Sequence, residues 1–240
     1  MPPSGDKASM NRSLLLRAAV LAGALALSHL PAWAAPAAPG EAAAPCCGPV
    51  TAQGRELLRV LDASNVRHRW LPRTSIDWSS GEAAPRDAAH PKLASHCSAF
   101  AAAMSSRLGV PLLRPPSHGQ RLLANAQARW LAGVGVGREG WREVDARQAQ
   151  ALANRGWLVL ASYASPNPRR AGHIAVIRPA TPTLGQLLAR GPHETQAGAS
   201  NLLDATVARG FSQHPGAWKP GGGAGLHFYA HAVDWGRASH

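Results

Sequence analysis

The change in apolar spacing near Gly156 constrains this chain more than any other feature. Before it, apolar residues recur at helical intervals; after it, they come in short dense runs rich in β-branched and aromatic residues. Arg55 to Leu61 reads as a short amphipathic helix. Cys97, Ala101, Met104 and Leu108 share a face of a second helix, with Ser95 as its N-cap and Gly109 and Pro111 as its stop. Pro115-Pro116 breaks the chain, and Ser117 is placed to cap a helix whose stripe is Leu122, Leu123, Ala126 and Trp130. Gly133 to Gly140 has no P-loop lysine and reads as a loop, and Asp145 to Asn154 as a helix closed by Gly156. Strands are expected at Trp157–Tyr163, His173–Ile177, Glu194–Gly198 and His227–Trp235, with a helical turn at Leu184–Arg190. This order predicts an α+β fold, with N-terminal helices packed on a small antiparallel sheet.

The N-terminus has a different character. Arg12 and Arg17 flank the start of an apolar run from Leu14 to Leu30, and Pro31-Ala32-Trp33-Ala34 supplies a small-x-small site. Residues 1–34 are therefore expected to be a secretory signal peptide, and the mature protein periplasmic or secreted. A retained anchor would need about 20 apolar residues without a cleavage site. No later stretch is long and apolar enough to span a bilayer, so no stable membrane span is expected after cleavage. Residues 35–53, rich in Ala, Pro and Gly, read as a linker, and 54–240 as the folded domain.

The chain has three cysteines. Cys46 and Cys47 are adjacent within the linker, which leaves Cys97 without a disulfide partner in the folded region. A cysteine in the first turn of a helix lies among unpaired N–H groups and the positive end of the dipole, both of which favour a thiolate. The base that a thiol nucleophile requires is best supplied by His173, at the start of a strand in Gly172-His173-Ile174-Ala175-Val176. The bland alternatives are a buried structural cysteine and a strand histidine with a packing role.

Cys97-Ser98-Ala99-Phe100 resembles the start of the nucleophile helix in the NlpC/P60 and CHAP families of papain-like cysteine hydrolases. Gly172-His173-Ile174-Ala175-Val176 is similar to the Gly-His-Val-Ala-Val that carries their histidine. His96 departs from the pattern, which has an acidic or amide residue before the cysteine. The resemblance implies a papain-like fold and a third polar residue on the strand after the histidine strand. Gln196 is the first choice for that residue and Asn201 the second. It also implies cleavage of amide bonds in peptidoglycan, as an endopeptidase or an amidase, with no cofactor.

Charge is consistent with such a partner. The net charge of +12 becomes +10 once residues 1–34, with three cations and one anion, are removed. A basic exported protein suits peptidoglycan or another anionic envelope polymer, and export argues against nucleic acid. A catalytic metal is not expected, for there is no His-Glu-x-x-His or Cys-x-x-Cys, and His227 and His231 in a strand would stand about 13 Å apart. Two other functions are compatible with the sequence: a non-catalytic envelope-binding module on the same scaffold, and a secreted toxin that degrades cell walls.

Overall fold

A computed structural model describes residues 44–221 and 225–238. The expected signal peptide lies outside the described residues. Helix α1 (Ala52–Ala63) starts at Thr51, whose side chain accepts the Gly54 N–H. Helix α2 (Cys97–Arg107) and α3 (Leu123–Trp130) follow. The glycine-rich stretch expected to be a loop is instead helical: a π-turn at Leu131–Gly135 runs into α4 (Val136–Arg138). Strand β1 (Arg142–Val144) precedes α5 (Ala146–Asn154), which carries a capping box between Asp145 and Gln148. Then come β2 (Leu158–Tyr163), β3 (His173–Ile177), α6 (Leu184–Arg190), β4 (His193–Gln196), β5 (Leu202–Thr206), α7 (Val207–Gly210) and β6 (Leu226–His231).

The fold is α+β. All strands join one six-stranded antiparallel sheet in the order β1-β6-β2-β3-β4-β5. The central strands are apolar on both sides because both faces are covered. Leu158, Leu160, Ile174 and Val176 face Leu57 of α1 and Phe100 and Met104 of α2. Val159, Ala161, Ala175 and Ile177 face Ala149 and Ala153 of α5 and Val207 and Phe211 around α7. Phe100 and Met104 are fully buried, each contributing about 2 kcal/mol toward fixing α2 on the sheet.

Several sequence expectations need correction. Helix α2 is not amphipathic, since every residue from Cys97 to Ser105 is buried. Its N-cap is His96 and not Ser95. The N-cap of helix α3 is Leu122, in the left-handed region at φ 57°, and Ser117 does not cap the helix. Strands β1 and β5 were not foreseen. The expected linker ends earlier than residue 53: Cys46 N–H donates to the Pro182 carbonyl, Asn154 Nδ2 to the Gly48 carbonyl, and Thr51 N–H to the Asn154 carbonyl. Cys46 and Cys47 form a disulfide with each other.

Candidate active site

Cys97 is placed by the burial of α2 against β3. Its sulfur receives backbone N–H groups from Ile174, Ser98 and Cys97 itself, and the Ser95 hydroxyl lies 4.0 Å away. The Ile174 amide is open to the sulfur because β4 pairs with β3 only at Val176–Thr195 and Ile177–Glu194. The structure thus brings Cys97 to the peptide bond that follows His173. Among the described residues, no hydrogen bond joins the sulfur directly to the imidazole.

His173 pairs with Tyr163 across β2 and β3. Its ring lies edge-on to Phe211, at 4.6 Å between centroids, and stacks on His214 at 5.1 Å and 12°. Nε2–H donates to Gln196 Oε1 at 2.5 Å. The Gln196 amide is oriented by its own Nε2, which donates to the Ser200 carbonyl at 3.4 Å, and that assigns the proton to His173 Nε2. The lone pair is then on Nδ1, which makes no hydrogen bond among the described residues. Gln196 is therefore brought to His173, as the sequence reading required of a third residue.

Asn201 is not. Its Nδ2 donates to the carbonyls of Val66 at 2.6 Å and Arg69 at 2.7 Å, and its Oδ1 accepts the Gly198 N–H. Asn201 braces the 66–70 turn against the end of β4 and makes no hydrogen bond to His173. This corrects its candidacy as an orienting residue. His96 is also structural: it is fully buried and its Nε2–H donates to the Thr74 carbonyl at 2.8 Å.

Gly172 is required by close packing. A Cβ there would lie 2.1 Å from the Tyr163 carbonyl oxygen and 2.5 Å from Asn125 Oδ1. Asn125 accepts the Ser165 N–H and donates to the Arg170 carbonyl, so it holds the loop that leads into His173.

The electrostatics also differ from the expectation of a pre-formed thiolate. Burial pushes the Cys97 thiol up, against the lowering effect of its amide and hydroxyl donors. Burial holds His173 down at about 4, opposed by Gln196. Both shifts favour the neutral pair, thiol beside imidazole. His214 is lowered to about 4 by burial first and by the charge of His173 second.

Sequence reasoning missed His214 and Ser95 as members of the site. His214 lies in Ser212-Gln213-His214-Pro215-Gly216, a turn without periodicity, and nothing local marks it. The two histidines stack in a hollow of about 380 Å³ that Ser95 and Gln196 also line. Cys97 lines a second hollow of about 180 Å³, and the two share Ala94, Ser95 and Ala171 as a wall. The candidate metal pair is committed elsewhere: His227 Nδ1 meets Glu143 at 2.6 Å and His231 Nε2 meets the Glu139 carbonyl at 3.0 Å. Comparison of the chain with protein-family models and with curated proteins finds no match.

Proposed function

We propose that this chain is an exported cysteine hydrolase with a papain-like arrangement, cleaving amide bonds in peptidoglycan. The observation that carries the reading is the hydrogen bond from His173 Nε2 to Gln196 Oε1, beside a cysteine sulfur seated on the Ile174 amide. A histidine held at one nitrogen by an amide keeps the other as a base. In the proposed reaction Nδ1 takes the Sγ proton as sulfur attacks the carbonyl carbon, and the C–N bond of the tetrahedral adduct then breaks. The imidazolium returns the proton to the leaving amine, and water cleaves the thioester by the same base. The Cys97 and Ser98 amides, already turned toward the sulfur, are candidate donors for the oxyanion. Peptidoglycan as substrate rests on the family resemblance, the signal-like N-terminus and the positive charge.

The test is release of soluble fragments from purified cell-wall sacculi. Wild-type protein should release them; Cys97→Ser and His173→Ala should each abolish release, with circular dichroism unchanged and losses that do not add in the double variant. Equal release by wild type and Cys97→Ser overturns the reading. A second reading, the non-catalytic binding module, is favoured by the 3% exposure of Cys97. It requires that sacculi sediment the protein without any fragment being released.

A further inference from the structure

The turn that follows α7 brings two rings to His173. Phe211 N–H donates to the Val207 carbonyl and His214 N–H to the Phe211 carbonyl, both at 2.9 Å, and the His214 carbonyl accepts the Ala217 N–H at 3.0 Å. Phe211 and Ala217 are buried, so the backbone of His214 is held from both sides. The two rings meet His173 differently: Phe211 edge-on, at 4.6 Å and 69°, and His214 face-on, at 5.1 Å and 12°. His214 also tilts against Tyr163 at 5.3 Å and 51°. Its ring nitrogens make no hydrogen bond among the described residues. The ring is therefore placed by its backbone and by other rings, not by polar partners of its own.

The stack has a geometric consequence. The bond from His173 Nε2–H to Gln196 Oε1 fixes one atom of the imidazole and leaves the ring free to turn about the line of that bond. A flat ring laid parallel on the imidazole opposes the turn, because rotation drives an edge toward the face and loses the stack. Fixing the plane of the ring also fixes the direction of the Nδ1 lone pair.

It has an electrostatic consequence as well. A proton taken by His173 appears as positive charge 5.1 Å, centre to centre, from His214. The titratable or charged groups that face His214 are His173 on β3, Tyr163 on β2 and Arg209 on α7. Glu194 on β4 packs against Gly210 and is not part of the lining. A protonated His214 would thus oppose an imidazolium at His173, and the two rings form a coupled pair.

We propose that His214 is a positioning residue for His173, its stacked ring fixing the plane of the base and its neutral state admitting the positive charge that the base acquires. The part this plays in turnover rests on the proposed hydrolase reading; the stack and the coupling do not.

The experiment follows the imidazole resonances of the full-length protein by proton–nitrogen correlation NMR, from neutral pH into the acid range. In the wild type, His173 and His214 should each show both steps of one shared titration. His214→Phe keeps a flat ring and has no charge; it should leave His173 titrating in a single step and preserve the ring-current shift of its carbon-bound protons. His214→Ala should lose that shift. In fragment release, His214→Ala should lower kcat about tenfold with KM unchanged, and His214→Phe should restore most of the loss at neutral pH. The acid limb of the wild-type kcat profile should be steeper than that of His214→Phe. The wild-type titration needs no substitution and decides the coupling even where His214→Ala does not fold. Independent single titrations in the wild type, or His173 shifts that His214→Ala leaves unchanged, overturn the proposal. A shared titration without any fragment release removes the hydrolase reading and leaves the pairing. Full kcat in His214→Ala removes the positioning role and leaves the hydrolase.

Discussion

The substitution Gly172→Ala tests how tightly the loop before His173 is built. A methyl group at this position would stand 2.1 Å from the Tyr163 carbonyl oxygen, 2.5 Å from Asn125 Oδ1 and 3.2 Å from the Ser165 nitrogen. The first of these belongs to the backbone of β2 and has no rotamer to move. Relief requires β2 and β3 to separate by about 1 Å at the end that carries His173, an overpacking strain of about 1–3 kcal/mol. It also displaces Asn125, whose bonds to the Ser165 amide and the Arg170 carbonyl, at 3.0 and 2.8 Å, contribute about 1 kcal/mol each. The combined loss is about 3–5 kcal/mol, or roughly 6–20 °C in melting temperature for a domain of this size. Folded variant should be slower as well, since a 1 Å displacement of a catalytic group can cost about a hundredfold in rate. Thermal denaturation followed by circular dichroism gives the first quantity and fragment release per folded molecule the second. A Gly172→Ala protein that melts within 2 °C of wild type would refute the packing argument.

Three further outcomes follow from the site geometry. Gln196→Ala should lower turnover roughly 10- to 100-fold with a small change in melting temperature, whereas Asn201→Ala should chiefly destabilise, by about 1–3 kcal/mol, because it strands the Val66 and Arg69 carbonyls; the reverse ranking in fragment release would reinstate Asn201 as the orienting residue. His173 titrates at about 4 when folded against 6.5 when unfolded, so the unfolded chain binds more protons between those values. Stability from this group is complete above pH 6.5 and is lost as pH falls toward 4, about 3 kcal/mol in all, and chemical denaturation across that window should show a slope that His173→Gln reduces without abolishing, because His214 is lowered over the same range. Because burial raises the Cys97 thiol from 9.0, alkylation of the free protein by iodoacetamide should be slow at pH 7 and accelerate only on the alkaline side; a rate plateau already reached below pH 7 would restore the pre-formed thiolate.

The α+β class and the central strands were legible because they depend on local pattern. Leu158–Tyr163 and His173–Ile177 are continuous apolar runs, and such runs name a strand covered on both faces. Gln196 was reached through the family resemblance, which implies a polar residue on the strand after that of the histidine. What escaped depends on contacts distant in sequence. Strand β1 has three residues and a polar surface, and it exists because Phe228, Tyr229 and Ala230 offer it a partner. The π-turn at Leu131–Gly135 is fixed by packing, with Leu131 and Gly135 buried, against the usual preference of glycine for loops. The state of Cys97 was misjudged for a quantitative reason. Helix-end donors were counted at the sulfur, while the desolvation that outweighs them depends on residues brought in by the sheet.

The anchoring of the first helix has a consequence for the order in which the chain assembles. Thr51 is hydrogen-bonded to the Asn154 carbonyl, 103 residues away in sequence. Gly54 presses on the same carbonyl from α1, and Gly156 on Gln53. Closing a loop of that length costs about 4 kcal/mol in chain entropy, before any contact within it rewards the closure. On a ribosome, α1 emerges early, and its contacts with α5 wait until that helix has left the exit tunnel. The beginning of the domain is thus among its last parts to settle, and a nascent chain stopped before Asn154 would hold its first helix undocked.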